Sequence, residues 1–288
     1  MLVNLKEILE IAEEKKIAVG AFNTPNFEAL QAILWAAAAE NQPVIIQMAQ
    51  SHESLMALTD IGPVMVEAAK KAPVPVCVHL DHGETLEYLE TALKIGFTGI
   101  MYDGSTLPYE ENAANTRKAV EMAHQYGAGV EAELGSMGRR EMGGPDSHAG
   151  EDETKIYTDP DQASLFVNET GIDALACSFG TTHGIYLTKP KLDFDVVRNV
   201  RAKAGQIPVV MHGGSGVSRE DFHNAVDAGV RKINYFTYMD KAAGSAAWSR
   251  VENIPAGSPI FFTEMSVAAR VAMQENVASA IRVFARID

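Results

Sequence analysis

Residues 74–83 read VPVCVHLDHG, an apolar run that is opened by proline-flanked valines and ends in Asp81, His82 and Gly83. A short apolar run bounded by turn-forming residues reads as a strand. The same pattern recurs along the chain. Eight runs can be marked, at Ala18–Asn23, Pro43–Ala49, Val74–Asp81, Gly99–Asp103, Gly127–Leu134, Ala174–Phe179, Ile207–His212 and Lys232–Tyr235. Stretches of helical period lie between them, at Phe27–Glu40, Asp60–Lys71, Leu86–Lys94, Asn112–Tyr126, Asp159–Glu169, Asp193–Lys203 and Arg219–Ala228. Strands alternating with helices imply parallel pairing through right-handed crossovers. Eight such units imply closure into a (β/α)8 TIM barrel. An open doubly wound sheet is the alternative, disfavoured because no GxGxxG follows the first run.

At 288 residues, one barrel domain accounts for the whole chain, residues 1–288. One connection breaks the rhythm: SMGRREMGGPDSHAGEDETKIYTDP, residues 136–160. Its length and its Gly143-Gly144-Pro145 predict a mobile active-site loop over about 136–157. Helical text returns beyond Lys241, chiefly at Met265–Ala285, and predicts a C-terminal helical segment over about 240–288 that covers the barrel or a partner.

A net charge of −14 and a pI near 5.0 argue against nucleic acid as a partner, since no basic stripe exists to displace phosphate counterions. An anionic substrate must then be held locally, by backbone N–H groups or a metal. Cys77 and Cys177 lie inside apolar runs and read as buried free thiols. The first residues, MLVNLKEILEIAEEKK, are amphipathic and lack the apolar core of a signal peptide. No run reaches the ~18 apolar residues of a membrane span. A cytosolic protein with no membrane partner is expected.

Barrel enzymes carry their chemistry at the C-terminal ends of the strands. That rule gathers Asn23, Asp81, His82, Asp103, Glu133, His183, His212 and Asn234. The three histidines, about 100 and 30 residues apart, would leave a fourth position open on a catalytic Zn²⁺. Asp103 and Glu133 read equally as structural carboxylates or as metal ligands. His79 reads as core, while His52, His124, His148 and His223 fall on helix or loop and read as solvated. HGGSGVSRED, residues 212–221, is a phosphate-site candidate, with Ser218 and Asp221 at capping-box spacing. Its place beside KINYFT, residues 232–237, is where barrels frequently bind phosphate.

These motifs resemble the class II, metal-dependent ketose-bisphosphate aldolases, which include fructose- and tagatose-bisphosphate aldolases. The resemblance runs from AFNTPN through LDHG, YDGS, VEAELG, GTTHGIY and HGGSG to KIN, over about 240 residues. It implies a TIM barrel, with His82, His183 and His212 as ligands of a catalytic zinc and Asp81 as proton donor to the aldehyde oxygen. Asp103 and Glu133 match carboxylates of a second or alternative metal position, which admits a second divalent or a monovalent cation. Asn23, Gly184, Gly213, Gly214, Ser215, Asn234, Phe236 and Thr237 match the dihydroxyacetone-phosphate site. Glu141 has the spacing of the loop glutamate that removes the substrate proton, with Glu151 as its rival. Arg139 and Arg140 are candidates for a distal phosphate by charge and loop position.

The implied reaction is reversible cleavage of a ketose 1,6-bisphosphate, fructose 1,6-bisphosphate first, to dihydroxyacetone phosphate and an aldehyde, glyceraldehyde 3-phosphate. Tagatose 1,6-bisphosphate, or a ketose phosphate of deoxy-sugar or sugar-acid type, is the alternative. The chain departs from the family where Phe236 and Tyr238 replace small or acidic residues, which bears on substrate size. A metal-dependent barrel hydrolase is disfavoured because the first run ends in Ala-Phe-Asn rather than His-x-His. A non-catalytic aldolase-like protein is disfavoured by the intact Asp81 and histidines. A homodimer or homotetramer is the expected assembly.

Overall fold

The computed structural model describes residues 1–135, 139–140, 157–184, 190–255 and 257–287, with backbone alone at 139, 140 and 183. Among these residues, ten strands are numbered in chain order. β1 (Val19–Asn23), β2 (Val44–Ala49), β3 (Val76–Gly83), β4 (Gly99–Tyr102) and β5 (Gly129–Leu134) come first. The short β6 (Arg139–Arg140) precedes β7 (Ala174–Cys177), and the short β8 (His183–Gly184) precedes β9 (Val209–Met211) and β10 (Val230–Asn234). Eight of them close a barrel in the order β1-β10-β9-β7-β5-β4-β3-β2, every pair parallel, while β6 and β8 pair with each other outside it. Closure removes the open-sheet alternative.

Five of the described crossover helices start where the sequence supplies a side-chain cap. Asn26, Thr85, Asp159, Asp193 and Ser218 each accept a backbone N–H at the starts of α2 (Phe27–Glu40), α4 (Leu86–Ile95), α6 (Pro160–Thr170), α7 (Phe194–Lys203) and α8 (Arg219–Ala228). The Ser218–Asp221 pair differs from a reciprocal capping box. Asp221 N donates to Ser218 Oγ, but the Asp221 carboxylate accepts from that same hydroxyl at 2.6 Å. α3 (Leu58–Lys71) and α5 (Tyr109–Gln125) complete the ring. After β10 the chain forms α9 (Thr237–Glu252) and α10 (Phe262–Phe284), where the sequence marked only the second clearly.

The amphipathic N-terminus is a helix, α1 (Leu5–Lys15), with Leu5, Ile8, Leu9 and Ala12 buried. These residues pack on the inward-facing Val19, Ala21, Ile45, Cys77, Ala174, Ala176 and Val210. The alternate residues, such as Phe22, Ile46 and Val78, join the core under the outer helices. Strand alternation thus builds two cores from one sheet. With α1 sealing the N-terminal mouth, only the C-terminal strand ends are left to form a site.

Glu13 fastens α1 to the barrel by accepting hydrogen bonds from Arg201 and from Arg231, the latter at 2.8 Å. Partial burial raises the Glu13 pKa, but the two arginines outweigh it and hold the carboxyl below its usual range. The ionised state is therefore favoured by folding above the ordinary glutamate pKa of about 4.3. Glu13→Gln is expected to lower stability by about 1–2 kcal/mol at neutral pH, the figure being reduced for partial exposure. In urea denaturation the deficit relative to the parent should shrink as the pH falls through the lowered folded pKa. An equal deficit at neutral and acid pH would refute this role.

Candidate active site

Asp81 and His82 are consecutive, so a regular strand would send them to opposite faces. Both reach the barrel mouth because β3 carries an extra residue there. Leu80 pairs with Ile100 and Gly83 with Tyr102, three residues against two, and His82 adopts φ +46°. A non-glycine residue in this region is uncommon, and such strain gathers at functional sites. Gly83 must be small, since a Cβ there would stand 2.8 Å from the Met101 carbonyl oxygen.

The His82 ring is fixed from behind by Asp103, whose Oδ2 lies 2.7 Å from His82 Nδ1. Asp103 Oδ1 is itself held by the Ser105 hydroxyl at 2.6 Å. His212 follows β9, and its Nε2 lies 2.8 Å from Glu131 Oε1 on β5. Each ring commits its outer nitrogen to a carboxylate. The inner nitrogens, His82 Nε2 and His212 Nδ1, then face each other at 3.1 Å. Two acceptor nitrogens this close require something electropositive between them, either a proton or a metal ion. Burial disfavours the His82 imidazolium, but Asp81 and Asp103 outweigh it and lift its pKa to about 9. A metal ion here would compete with that proton. Carboxylates behind ligating histidines are the usual device for orienting them on a metal.

Among the described residues, two groups of side chains could hold an ion: Asp81 with His82 and His212, and His82 with Asp103 and Glu133. Glu133 Oε2 stands 4.0 Å from His212 Nδ1, close to both groups. Asp81 accepts amide hydrogen bonds from Asn23 at 3.1 Å, Gln47 at 3.1 Å and Asn234 at 2.9 Å. Burial alone would raise its pKa, but the neighbouring histidines and Lys232 hold it well below the carboxylate range. Asp81 is therefore an ionised carboxylate.

A buried lysine connects these parts. Lys232 Nζ lies 2.7 Å from Glu131 Oε2 and donates to Asn234 Oδ1 at 2.8 Å. It balances the carboxylate that orients His212 and fixes the amide that holds Asp81. His79 is fully buried, 3.5 Å from Glu131, and is core as expected.

One cavity is lined by Asn23, Asp81, His82, Gly184, Gly213, Gly214, Ser215, Asn234, Phe236 and Thr237, uniting ten of the residues predicted from sequence. Ser215 Oγ accepts from Phe236 N at 3.3 Å and Tyr238 N at 3.4 Å, which ties the glycine loop to the start of α9. Phe236 faces the cavity, whereas Tyr238 packs against the core beneath Lys241.

His183 does not end β7; it falls six residues beyond, on β8, where its backbone pairs with Arg139. Glu141, Glu151 and His148 lie outside the described residues. Glu131, Lys232 and Gln47 escaped the strand-end rule because they sit within strands. Their signal was a polar residue interrupting an apolar run, and Glu131 shares the parity of Glu133. His52, read as solvated, instead lines the cavity.

The class-II fructose-bisphosphate aldolase family model matches residues 3–288. The fructose-bisphosphate aldolase of Staphylococcus aureus strain Mu50 is 40% identical over 255 residues, covering 88% of this chain and 87% of that one. The Escherichia coli K12 protein YdjI, described as uncharacterized, is 37% identical over 284 residues, or 99% of this chain and 98% of its own. The crystal structure of the YdjI aldolase gives a TM-score of 0.85 at 34% identity, covering 99% and 97%. Fold, site and relatives together define an aldehyde-lyase on a parallel barrel. The chain belongs to the class-II fructose-bisphosphate aldolase family, which is generally metal-dependent and implies a phosphorylated sugar substrate.

Replacing Glu131 by Gln removes the charge behind His212 while keeping its shape. Metal affinity, measured by competition with a chromophoric chelator, is expected to fall about 10–100-fold. An unchanged affinity would remove Glu131 from the orienting role.

Proposed function

We propose that this aldolase carries out zinc-dependent, reversible cleavage of a ketose 1,6-bisphosphate, fructose 1,6-bisphosphate first, to dihydroxyacetone phosphate and glyceraldehyde 3-phosphate. The observation that carries this reading is the 3.1 Å approach of the inward nitrogens of His82 and His212. Two nitrogens on a tetrahedral zinc with bonds of about 2.05 Å stand roughly 3.4 Å apart. His82 and His212, with His183, would hold the ion. Asp103 and Glu133 offer a second position for a divalent or monovalent cation. A bound Zn²⁺ supplies Lewis-acid polarisation of the substrate carbonyl and hydroxyl oxygens.

The protein's own groups perform the proton transfers. Asp81, ionised and held by three amides, accepts the hydroxyl proton in cleavage and returns it in condensation. Glu141 is the proposed base for the carbon-bound proton of dihydroxyacetone phosphate. The Gly213–Gly214–Ser215 turn and the first residues of α9 offer backbone N–H groups to the phosphate.

A second reading keeps this half-reaction and changes the aldehyde, to tagatose 1,6-bisphosphate or to a deoxy-sugar or sugar-acid ketose phosphate as substrate. It is supported by Phe236 in the cavity wall, and by the lack of Lys or Arg among the described lining residues. Assembly as a homodimer or homotetramer is supported by an apolar surface on α9, α10 and their connection, where Trp248 is 67% and Phe262 74% exposed.

Treatment with EDTA is expected to abolish exchange of solvent hydrogen into dihydroxyacetone phosphate, and Zn²⁺ to restore it. Full exchange by metal-free enzyme would overturn the zinc reading, and no exchange under any metal would favour a hydrolase or binding protein. Cleavage rates across fructose, tagatose and deoxy-ketose phosphates decide between the two substrate readings. Light scattering should show two or four subunits, and Phe262→Glu should lower that number if α10 lies in the contact.

A further inference from the structure

We propose that His52 is a substrate-contacting specificity residue: held against Phe236, it donates an imidazole N–H to the phosphoryl group of the substrate. This rests on the reading of the cavity as a phosphorylated-sugar site. His52 ends the single turn Gln50–His52 that follows β2, and Phe236 follows β10. In the barrel, β1 stands between those two strands. The contact between the rings, with centroids 5.0 Å apart and planes at 52°, therefore bridges the mouth above the end of β1.

Phe236 also belongs to the phosphate turn, because its backbone N–H donates to Ser215 Oγ at 3.3 Å. His52 thus lies against the very residue that joins the glycine loop to α9. Both rings line the same cavity as Gly213, Gly214 and Ser215.

The chemistry of the lining explains why an imidazole is useful there. No Lys or Arg lines the cavity among the described residues. Of the two imidazoles among the described lining residues, His82 is committed to Asp103 and His212. His52 makes no such commitment, and its Nδ1 is buried without a hydrogen-bond partner. That atom is shut off from the cavity, so the contact to a ligand oxygen falls to Nε2, the other nitrogen of a ring that lines it. In a chain of net charge −14, a further N–H donor beside the backbone cradle offsets an unfavourable field for a dianion.

The experiment uses the metal-loaded, full-length enzyme with dihydroxyacetone phosphate in the solvent-exchange assay, and inorganic phosphate in titration calorimetry. His52→Ala is expected to raise KM for dihydroxyacetone phosphate, and Kd for inorganic phosphate, by about tenfold. Exchange kcat is expected to stay within about twofold, because the contact is uniform binding. His52→Gln, which keeps a side-chain N–H, is expected to recover most of the loss, and Phe236→Leu to lose part of it. Metal content and melting temperature of the variants check that the fold persists. Unchanged KM and phosphate Kd in His52→Ala would overturn the proposal, as would a defect confined to kcat or to the KM of the aldehyde in condensation. If the unaltered enzyme fails to exchange hydrogen at all, the aldolase reading fails. The phosphate titration then still decides the role of His52 by itself.

Discussion

The site depends on one confined position, the gap between His82 Nε2 and His212 Nδ1. Asp103 and Glu131 occupy the far nitrogens of the two rings, so neither can turn away without abandoning a carboxylate. The four side chains come from β3, the end of β4, β5 and the end of β9. Only a closed barrel brings those strand ends to one point. The kinked backbone at His82 is part of the same arrangement, because it redirects one ring without moving Asp81 from the mouth.

Charge balance inside the barrel follows from that geometry. Glu131 is fully buried, and a lone buried carboxylate would be costly. Lys232, equally buried, offsets it, and its remaining contact with Asn234 reaches Asp81. One ammonium thereby links the orientation of the His212 ring to that of the Asp81 carboxylate. The site is best understood as a single polar network within an otherwise apolar barrel, of the kind whose members support one another only when all are satisfied.

Much of this was legible in the residue order. Strand ends rich in Asp, His and Asn marked Asp81, His82, His212 and Asn234, and the glycines at 213 and 214 marked a turn that lines the same cavity. Glu131, Lys232 and Gln47 were harder to find. A polar residue within an apolar run is visible, but whether it points into the barrel or toward a helix depends on the parity of closure. His52 was hidden for another reason. Its turn folds back over the mouth, and nothing local says that it will meet a phenylalanine 184 residues later.

The sequence by itself determined the order of strands and helices, the capped helix starts and the residues available at each strand end. These depend on interactions within a few residues, such as side-chain caps and hydrophobic periodicity. The tertiary structure decided which of those residues share a site. Closure of β1 on β10 set the parity that turns Glu131 and Lys232 inward, and the extra residue in β3 set the direction of His82. Both are long-range constraints, imposed by neighbouring strands that lie far away along the chain.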